Sequence, residues 1–291
     1  MPHFQPAIFV PGYRAHEHLE FDLQPGATLT DVHAAFARVL AQPMAAQIVT
    51  GFGPQLWRQL APQAAPEALQ NLPQIQGPGG VVPHKQHDMW LWLQETGPDL
   101  VLDAAHLAIA ALAPTFVLAE DTQGFVYRDG RDLTGFIDGT ENPGPAEAVE
   151  AAILAQGPGQ GGSFALVQRW QHQLHQFRAL PEHEQAHVFG RTKADSVELE
   201  DKRENAHVSR VVVEENGEEL EIWRRSVPWG NARANGLQFV AFSADPQRFV
   251  RMLQRMFGAE DGVHDRLLAF SAPQNGAIYF VPSPDDLKAW M

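Results

Sequence analysis

The sequence predicts an α+β protein built from two similar halves, and three observations support this. A predicted strand over 88–93 precedes a helix that starts at Pro98-Asp99, and a predicted strand over 237–243 precedes a helix that starts at Asp245-Pro246. The two units lie about 147 residues apart, the difference between positions 90 and 237. The 291 residues leave room for about two domains. We therefore expect two α+β halves packed through their sheets.

The N-terminal half contains further elements of the same kind. A short strand is predicted over 7–10, and Thr30-Asp31 is a candidate N-cap for a helix whose apolar residues recur at helical spacing. The helix that starts at Pro98 carries leucine, alanine and isoleucine on one face, and the run 115–119 predicts the strand that follows it.

The C-terminal half repeats the pattern after a less regular middle region. Asp245 is the predicted cap of the second helix, and 276–281 predicts the closing strand. Between the halves, the runs 208–213 and 218–226 flank an Asn216-Gly217 turn, which predicts a β-hairpin.

Composition excludes several classes of protein. The chain has no cysteine, so it cannot form disulfides, thiolate nucleophiles, zinc–thiolate sites or iron–sulfur clusters. Its charge of 21 − 35 = −14 argues against binding to nucleic acid or to an anionic membrane surface. The longest apolar run, 107–112, falls far short of the roughly 20 residues that a membrane span needs. With no targeting segment visible near Met1, we expect a cytoplasmic protein without a membrane partner.

A His-Glu-x-x-His pattern at 183–187 is the most conspicuous motif. On a helix it would place His183 and His187 on one face, with Glu184 positioned to activate a zinc-bound water. The third-ligand position of the longer version holds Lys193, whose ammonium would repel the metal. A zinc hydrolase is therefore a weak alternative to an exposed, polar start of a short helix.

A second pattern is the glycine-flanked carboxylate of 135–139, Gly-Phe-Ile-Asp-Gly. Its dipeptides are typical of turns, and a simple turn is one interpretation. The apolar pair Phe136-Ile137 would also bury the approach to Asp138. A carboxylate in that setting is suited to act as a general base close to a flat ligand.

Two later segments carry further candidates. His207 stands at the start of a predicted strand, where a histidine is usually structural but could bind iron or zinc through one nitrogen. In the run 220–226, alternate residues share one face of a strand, which places Arg224 and Ser226 together at its polar end. A solvent-facing edge strand is the alternative, because Pro228 follows.

Taken together, these runs resemble the dye-decolourising peroxidases, in particular the shorter bacterial form called B-type. The resemblance covers most of the chain and rests on the runs 135–139, 166–170, 190–193, the segments around His207 and Arg224, and 265–268 before Phe270-Ser271. It implies two ferredoxin-like halves packed sheet to sheet, as in dimeric α+β barrels, with haem in the C-terminal half. The implied halves are 1–130 and 131–291.

The resemblance also implies a role for individual residues. His207 is expected to be the proximal ligand of the haem iron, and Asp265 the carboxylate that accepts its other ring N–H. Asp138 is the expected distal acid–base group and Arg224 the distal cation. Ser226 stands where some relatives carry asparagine, and its hydroxyl would be a third distal group.

Further implied contacts concern the edge of the cofactor. Arg191 is expected to reach a haem propionate, since a guanidinium binds a carboxylate in bidentate fashion. The loop of Gly139, Thr140, Glu141 and Asn142 is expected against the haem edge. The implied cofactor is one haem b per chain, and the implied reaction uses hydrogen peroxide to oxidise dyes, phenols or similar one-electron donors through an oxoferryl intermediate. Relatives of this kind form homo-oligomers, which we expect here too.

Other functions remain open at this level. A haem- or porphyrin-handling protein would use the same pocket without significant peroxide turnover. A chlorite-degrading haem enzyme shares the two-half fold, but Asp138 beside Arg224 argues against it. Because bulky dyes cannot enter a closed haem pocket, electrons could instead pass through aromatic side chains near the surface, for which the candidates are Trp170, Trp223, Trp229 and Tyr279. Core packing is the favoured interpretation of each of these side chains, because aromatic residues contribute a large apolar area.

Overall fold

The computed structural model describes residues 3–215 and 217–290. In this part of the chain the α-helices are Leu29–Leu40 (α1), Pro54–Leu60 (α2), Pro98–Leu112 (α3), Pro145–Ala152 (α4), Leu174–Arg178 (α5), Glu182–Phe189 (α6), His207–Val211 (α7), Gln247–Phe257 (α8) and Pro284–Trp290 (α9). The strands are Ala15–Leu23 (β1), Gln47–Phe52 (β2), Gln76–Gly77 (β3), Gly80–Val81 (β4), Met89–Glu95 (β5), Phe116–Phe125 (β6), Ser163–His172 (β7), Glu214–Glu215 (β8), Glu218–Glu219 (β9), Trp223–Arg224 (β10), Val227–Gly230 (β11), Asn235–Ser243 (β12), Ser271–Pro273 (β13) and Ala277–Val281 (β14). None of the helices described is long and apolar enough to cross a membrane.

The main strands close into one antiparallel barrel. Around it the order is β6-β1-β5-β2 from the N-terminal half and then β14-β7-β12-β11 from the C-terminal half, after which β11 pairs with β6. The halves meet at two seams, where Phe280 pairs with Phe52 and Trp229 pairs with Gly124. The α+β class is confirmed, but the two sheets join edge to edge into one barrel. Their inner faces also pack on each other inside the barrel, where Trp90 stacks on Tyr279, and pairing at both seams satisfies edge strands that would otherwise stay open.

Both halves use the same strand order. Numbered along each half, the four barrel strands lie in the order 4-1-3-2, and helices connect the first strand to the second and the third to the fourth. In the N-terminal half α3 packs on β1 and β5, and α1 packs on α3. In the C-terminal half α8 occupies the position that corresponds to α3. The internal recurrence in the sequence therefore reflects two copies of one arrangement.

Most of the predicted elements form at their predicted positions. The strand at 88–93 is β5, the strand at 237–243 lies within β12, and the strand at 276–281 is β14. The helices after Pro98 and Pro246 are α3 and α8. Asp245 caps α8 as predicted, since one of its carboxylate oxygens accepts the backbone N–H of Gln247 at 2.9 Å.

Two predictions near the N-terminus need correction. The run 7–10 is not a strand, because the chain forms a 3₁₀ turn at Pro6–Ile8, in which the N–H of Phe9 donates to the carbonyl of Pro6 at 3.0 Å. Pro6 has a fixed φ and no N–H for a sheet ladder, which favours a helical first turn. The first helix is capped by Thr28 and not by Thr30-Asp31. Thr28 and Asp31 form a reciprocal capping box.

The run 208–213 was also predicted as a strand, and this is wrong. It begins as the short helix α7, so His207 lies in the first turn of a helix. The reason is tertiary: Arg210 is buried, and its guanidinium donates to the carboxylate of Asp261 and to the carbonyl of Arg255. These contacts hold α7 against α8 and outweigh the strand preference of the four valines in the run.

A short hairpin forms at the predicted turn, but its first strand, β8, follows the run 208–213 that was predicted to form it. Glu214 pairs with Glu219, and Glu215 pairs with Glu218. The backbone of Gly217 has a positive φ of 83°, as a tight turn requires. Asn216, the other residue of the predicted turn, lies outside the described residues.

The hydrophobic core lies both inside the barrel and beneath the helices. Inside, Trp90 and Trp92 stack on each other at 6.2 Å between ring centroids, and Trp90 stacks on Tyr279. The pairing of β7 with β12 depends on Gly236, since a Cβ at this position would lie 1.8 Å from the carbonyl oxygen of Trp170. This close backbone approach holds together the sheet on which the cavity described below is built.

Candidate active site

A deep cavity lies in the C-terminal half against the outer face of β7 and β12. Its empty space is about 1270 Å³, open solvent included. Alternate residues of β7 divide between two environments: Leu166, Gln168 and Trp170 line the cavity, whereas Ala165 and Val167 fill the barrel. Helix α8 forms a second wall, with Phe249, Met252, Leu253 and Met256. The ionisable side chains at the cavity are Asp132, Asp138, Glu141, His172, Arg191, His207 and Arg224.

Asp138 reaches this cavity from a tightly held loop. Arg131 pairs with Ile137 in a short β-bridge, and its guanidinium donates to the carbonyls of Gly135 at 2.9 Å and Lys193 at 2.6 Å. Burial raises the pKa of Asp138, and the negative charge of Asp132 adds to this, while the positive charge of Arg224 opposes it. The carboxyl is therefore a stronger base than an exposed aspartate.

Arg224 is positioned by Asn142. The backbone N–H of Arg224 donates to Asn142 Oδ1 and its carbonyl accepts from Asn142 Nδ2, both at 2.9 Å. Arg224 Nε also donates to Asn142 Oδ1, at 3.4 Å. Asn142 was predicted at the haem edge together with Gly139, Thr140 and Glu141. Gly139, Thr140 and Glu141 line the cavity, whereas Asn142 holds Arg224 through hydrogen bonds.

His207 is paired with a fully buried carboxylate. Its Nδ1 lies 2.6 Å from Asp265 Oδ2, and the other oxygen of Asp265 accepts the backbone N–H of Leu267 at 2.8 Å. A carboxylate accepts only, so Nδ1 of His207 carries the proton, and the lone pair of Nε2 is free. His207 lines the cavity and is partly exposed. The structure therefore brings His207, Asp265, Asp138 and Arg224 to one site.

Arg191 lines the cavity as well and binds two carboxylates. Its guanidinium pairs with Glu141 and Glu198 and donates to the carbonyl of Ser196 at 2.8 Å. This arrangement shows that the side chain can hold carboxylates at the cavity mouth.

Ser226 is the predicted site residue that lies apart. It lines a second, more open cavity, which shares Asp138, Gly139 and Arg224 with the first. Its Oγ accepts the backbone N–H of Val240 at 3.4 Å. The hydroxyl is therefore beside Arg224 but outside the first cavity.

The residues of the first cavity fit a haem. The donor set is one neutral imidazole with a free nitrogen, surrounded by apolar side chains of β7, β12 and α8. Haem needs apolar walls, an axial ligand and a cation for its propionates, and Arg191 provides such a cation. No cluster of three or more histidine and acidic side chains able to hold a bare metal ion occurs in 3–215 or 217–290.

The His-Glu-x-x-His motif lies on α6 and has other partners. Glu184 forms two hydrogen bonds with the guanidinium of Arg203, at 2.8 and 3.0 Å. His183 is exposed, and His187 lies 3.8 Å from Asp201. Gly190 ends the helix with a positive φ of 82°. Glu184 thus forms a surface ion pair with Arg203, which argues against the alternative of a zinc hydrolase.

Several polar residues of the cavity were not predicted. Asp132, His172 and Ser271 are linked by hydrogen bonds in the cavity wall. Only Asp132 could have been found, because it lies six residues before Asp138 in the same glycine-rich segment. His172 and Ser271 are 99 residues apart, and no local pattern connects them.

Two of the four aromatic candidates for electron transfer are core residues, in agreement with the packing interpretation. Tyr279 is fully buried in the barrel, where its hydroxyl donates to Glu20, and Trp170 is buried in the cavity wall. Trp223 and Trp229 are half-buried, and the indole N–H of Trp229 donates to the carbonyl of Trp170 at 2.9 Å.

Comparison with known proteins decides the family. A model of the N-terminal part of Dyp-type peroxidases matches residues 5–126, and a model of their C-terminal part matches residues 129–286. The chain belongs to the Dyp-type peroxidase family. This confirms the prediction, made from the sequence runs, of a haem-dependent peroxidase of the dye-decolourising type.

Individual relatives agree with this Dyp-type assignment. The dye-decolorizing peroxidase of Rhodococcus erythropolis is 34% identical over 258 residues, which cover 86% of this chain and 75% of that protein. Among solved structures, a putative Dyp-type peroxidase from Shewanella oneidensis has a TM-score of 0.92 at 30% identity, covering 99% of both chains. A Rhodococcus jostii DypB variant solved in complex with haem has a TM-score of 0.89 at 28% identity, covering 97% of both chains.

Proposed function

We propose that this Dyp-type peroxidase binds one haem b in the cavity of its C-terminal half, with His207 as the iron ligand and with Asp138 and Arg224 acting on hydrogen peroxide. The observation that carries the proposal is the convergence of these three side chains on one apolar cavity. Small organic electron donors are the second substrate, as for the dye-decolorizing peroxidases to which the chain is similar.

His207 and Asp265 form the proximal side of the proposed site. The Asp265 carboxylate holds the proton on Nδ1 and fixes the ring orientation, so the lone pair of Nε2 would be available to bind the iron. Because Asp265 accepts the Nδ1–H of His207 from a fully buried position, it makes the imidazole a stronger electron donor. Haem, when bound, supplies an iron that can take up peroxide and accept two oxidising equivalents.

Asp138 and Arg224 form the distal side. Breaking the peroxide O–O bond so that water leaves requires one proton to move from the inner to the outer oxygen. Asp138 takes this proton and returns it, directly or through a water, which contributes typically ~10²–10⁴ in rate. Arg224 stabilises the negative charge that develops on the outer oxygen, in a setting where water does not screen it. Asn142 holds Arg224 in place.

The remaining site residues would contact the edge of the haem or hold a water beside it. Arg191 already binds the carboxylates of Glu141 and Glu198, and a haem propionate is a carboxylate of the same kind. Gly139, Thr140 and Glu141 would lie along the haem edge, since they line the cavity. Ser226 would hold a water beside Arg224 from the second cavity.

The finer description of the fold belongs to the same proposal. The order 4-1-3-2 of each half is that of a ferredoxin-like unit, so we infer two such units, 1–130 and 131–291, with haem in the second. The homo-oligomeric state and the cytoplasmic location stay predictions.

The test of the proposed function is spectroscopic. The purified protein supplied with haem should show an intense Soret band, which one equivalent of hydrogen peroxide should shift to a high-valent spectrum. A reducing dye should then restore the starting spectrum over many turnovers. A protein that binds haem but leaves peroxide and dye unchanged would instead support the alternative of a haem-handling protein.

The raised pKa of Asp138 predicts the pH dependence of the peroxide step. Only the ionised carboxylate can accept the proton, so the rate should fall as the pH falls through the raised pKa of Asp138. Above that pKa it should reach a plateau in the mildly acidic range. Asp138→Asn should remove this fall of the rate at low pH. Stopped-flow measurements from about pH 4 to pH 8 would show the change. A rate that kept rising from about pH 5 to pH 8 in the parent protein would contradict the assignment.

A further inference from the structure

The second cavity, which Ser226 lines, opens beside the proposed active site. Its empty space is about 1410 Å³, open solvent included. It shares Asp138, Gly139 and Arg224 with the first cavity, so a molecule inside it would lie next to the peroxide site and to the proposed position of the haem. The proposed function uses this space only for a water at Ser226, which leaves most of the cavity without an assigned occupant.

Aromatic side chains form part of the wall of this second cavity. The ring centroid of Phe9 lies 5.0 Å from that of Phe4 and 5.8 Å from that of Trp223. All three side chains line the cavity and are half-buried. Trp223 is fixed to the N-terminal segment, since its indole N–H donates to the carbonyl of Ile8 at 3.1 Å. Rings held in this way are suited to a planar aromatic ligand, which they can contact by offset stacking or edge to face.

Two arginines give the second cavity a positive charge. The described residues that line it include the guanidiniums of Arg224 and Arg225 and a single carboxyl, that of Asp138. His16 lines the cavity too, but burial lowers its pKa to about 4, so its imidazole is neutral near pH 7. The lining therefore carries two positive charges against at most one negative charge. In a chain of net charge −14, this is a local site that favours an anion.

Among the described side chains, Arg225 has hydrogen-bond partners but no counter-ion. Its guanidinium donates to the carbonyls of Ile8 and Val10, at 2.6 and 2.9 Å. It also donates to Gln94 Oε1 at 2.9 Å and lies 5.1 Å from the ring centroid of Trp92. These neutral partners take three of the five N–H groups of the guanidinium and leave two for a ligand. A bound anion would supply the missing counter-charge to this largely buried cation.

We propose that the second cavity binds small aromatic carboxylates that carry a phenol group, and that these molecules are oxidised there as electron donors. The ring lies against Phe9 and Trp223, and the carboxylate accepts hydrogen bonds from Arg225. The oxidation rests on the proposed function, whereas the binding does not. Each donor gives up one electron and its phenolic proton, so one hydrogen peroxide converts two phenols to phenoxyl radicals and is itself reduced to two waters.

Equilibrium dialysis of the haem-loaded full chain tests the binding without relying on activity. The probe is 4-hydroxybenzoate, and the control ligand is 4-hydroxybenzamide, which has nearly the same shape and no charge. Cyanide on the ferric iron prevents either probe from coordinating it. The parent should bind the benzoate about 10- to 100-fold more tightly than the amide, the usual effect of a hydrogen bond to a charged group. Arg225→Gln should remove this preference, and Arg225→Lys should keep part of it.

Val149 offers a variant that tests the same site and leaves Arg225 in place. Its side chain is half-buried on α4 and lines the second cavity. Val149→Glu adds a negative charge to the wall and should weaken binding of the benzoate about fivefold more than binding of the amide. Val149→Gln matches the glutamate in size without its charge, and should affect the two probes equally. This pair keeps the test decisive if Arg225→Gln does not fold.

Turnover of the same probes with hydrogen peroxide, without cyanide, tests whether oxidation takes place at this site. In each variant, the KM for 4-hydroxybenzoate should rise in parallel with its dissociation constant. Equal binding of the two probes by the parent, or a preference for the benzoate that survives both Arg225→Gln and Val149→Glu, would overturn the proposal. A KM that stays constant while the dissociation constant rises would overturn the assignment of oxidation to this cavity. A parent that prefers the benzoate but does not react with peroxide would support the binding site and refute the proposed function.

Discussion

His207→Ala is expected to abolish the Soret band of the haem-supplied protein. In the described cavity His207 is the histidine with a lone pair left free by a buried carboxylate, since the nitrogens of His172 are both engaged. Without that ligand, haem is retained only by apolar contact and by Arg191. The measurement is a titration of each protein with haem, followed at the Soret maximum. Peroxidase turnover should be lost in parallel.

Control variants distinguish loss of the iron ligand from loss of the folded structure. His175→Ala changes an exposed histidine on α5 and should titrate like the parent. Added imidazole can enter the space left in His207→Ala and should restore part of the Soret band. Asp265→Asn keeps the ligand but loses the carboxylate that orients it, and should weaken haem binding or activity by about 10- to 100-fold. A full Soret band in His207→Ala without imidazole would show that another residue binds the iron.

Arg224→Leu is expected to slow the peroxide reaction by about 10²–10³-fold, the usual cost of one preorganised charge at a developing oxyanion. The side chain lines the cavity next to Asp138, and Asn142 fixes its backbone and its Nε. Leucine fills a similar volume without the charge, so haem binding should persist. The rate constant for peroxide is measured by stopped flow on the plateau of the pH profile.

Comparison among variants identifies which distal group dominates. Arg224→Lys keeps the charge but not the planar group, and should fall between the parent and Arg224→Leu. Arg233→Leu, at an exposed loop position, is the matched control. If Asp138→Asn slows the plateau rate more than Arg224→Leu does, proton transfer and not charge stabilisation limits the O–O cleavage. Equal rates for Arg224→Leu and the parent would remove Arg224 from the mechanism.

The sequence alone determined the α+β class and most of the regular elements. Strands such as β5 and helices such as α3 and α8 have strong apolar periodicity and local caps, and both signals lie within a few residues of chain. The same holds for the motif around Asp138, because its glycines and its carboxylate are neighbours in sequence. Short sequence motifs of this kind were also enough to indicate the family. The family in turn implied the expected roles of His207, Asp265 and Arg224.

Only the tertiary structure decided the features that depend on distant residues. The barrel closes through pairings such as Phe52 with Phe280, which no local pattern encodes. The segment after His207 became a helix because Arg210 reaches Asp261, a contact across 51 positions. His172 meets Ser271 in the cavity wall for the same reason. Local propensity is set by neighbours along the chain, whereas these choices follow from the burial of charged and polar groups that must find partners elsewhere in the fold.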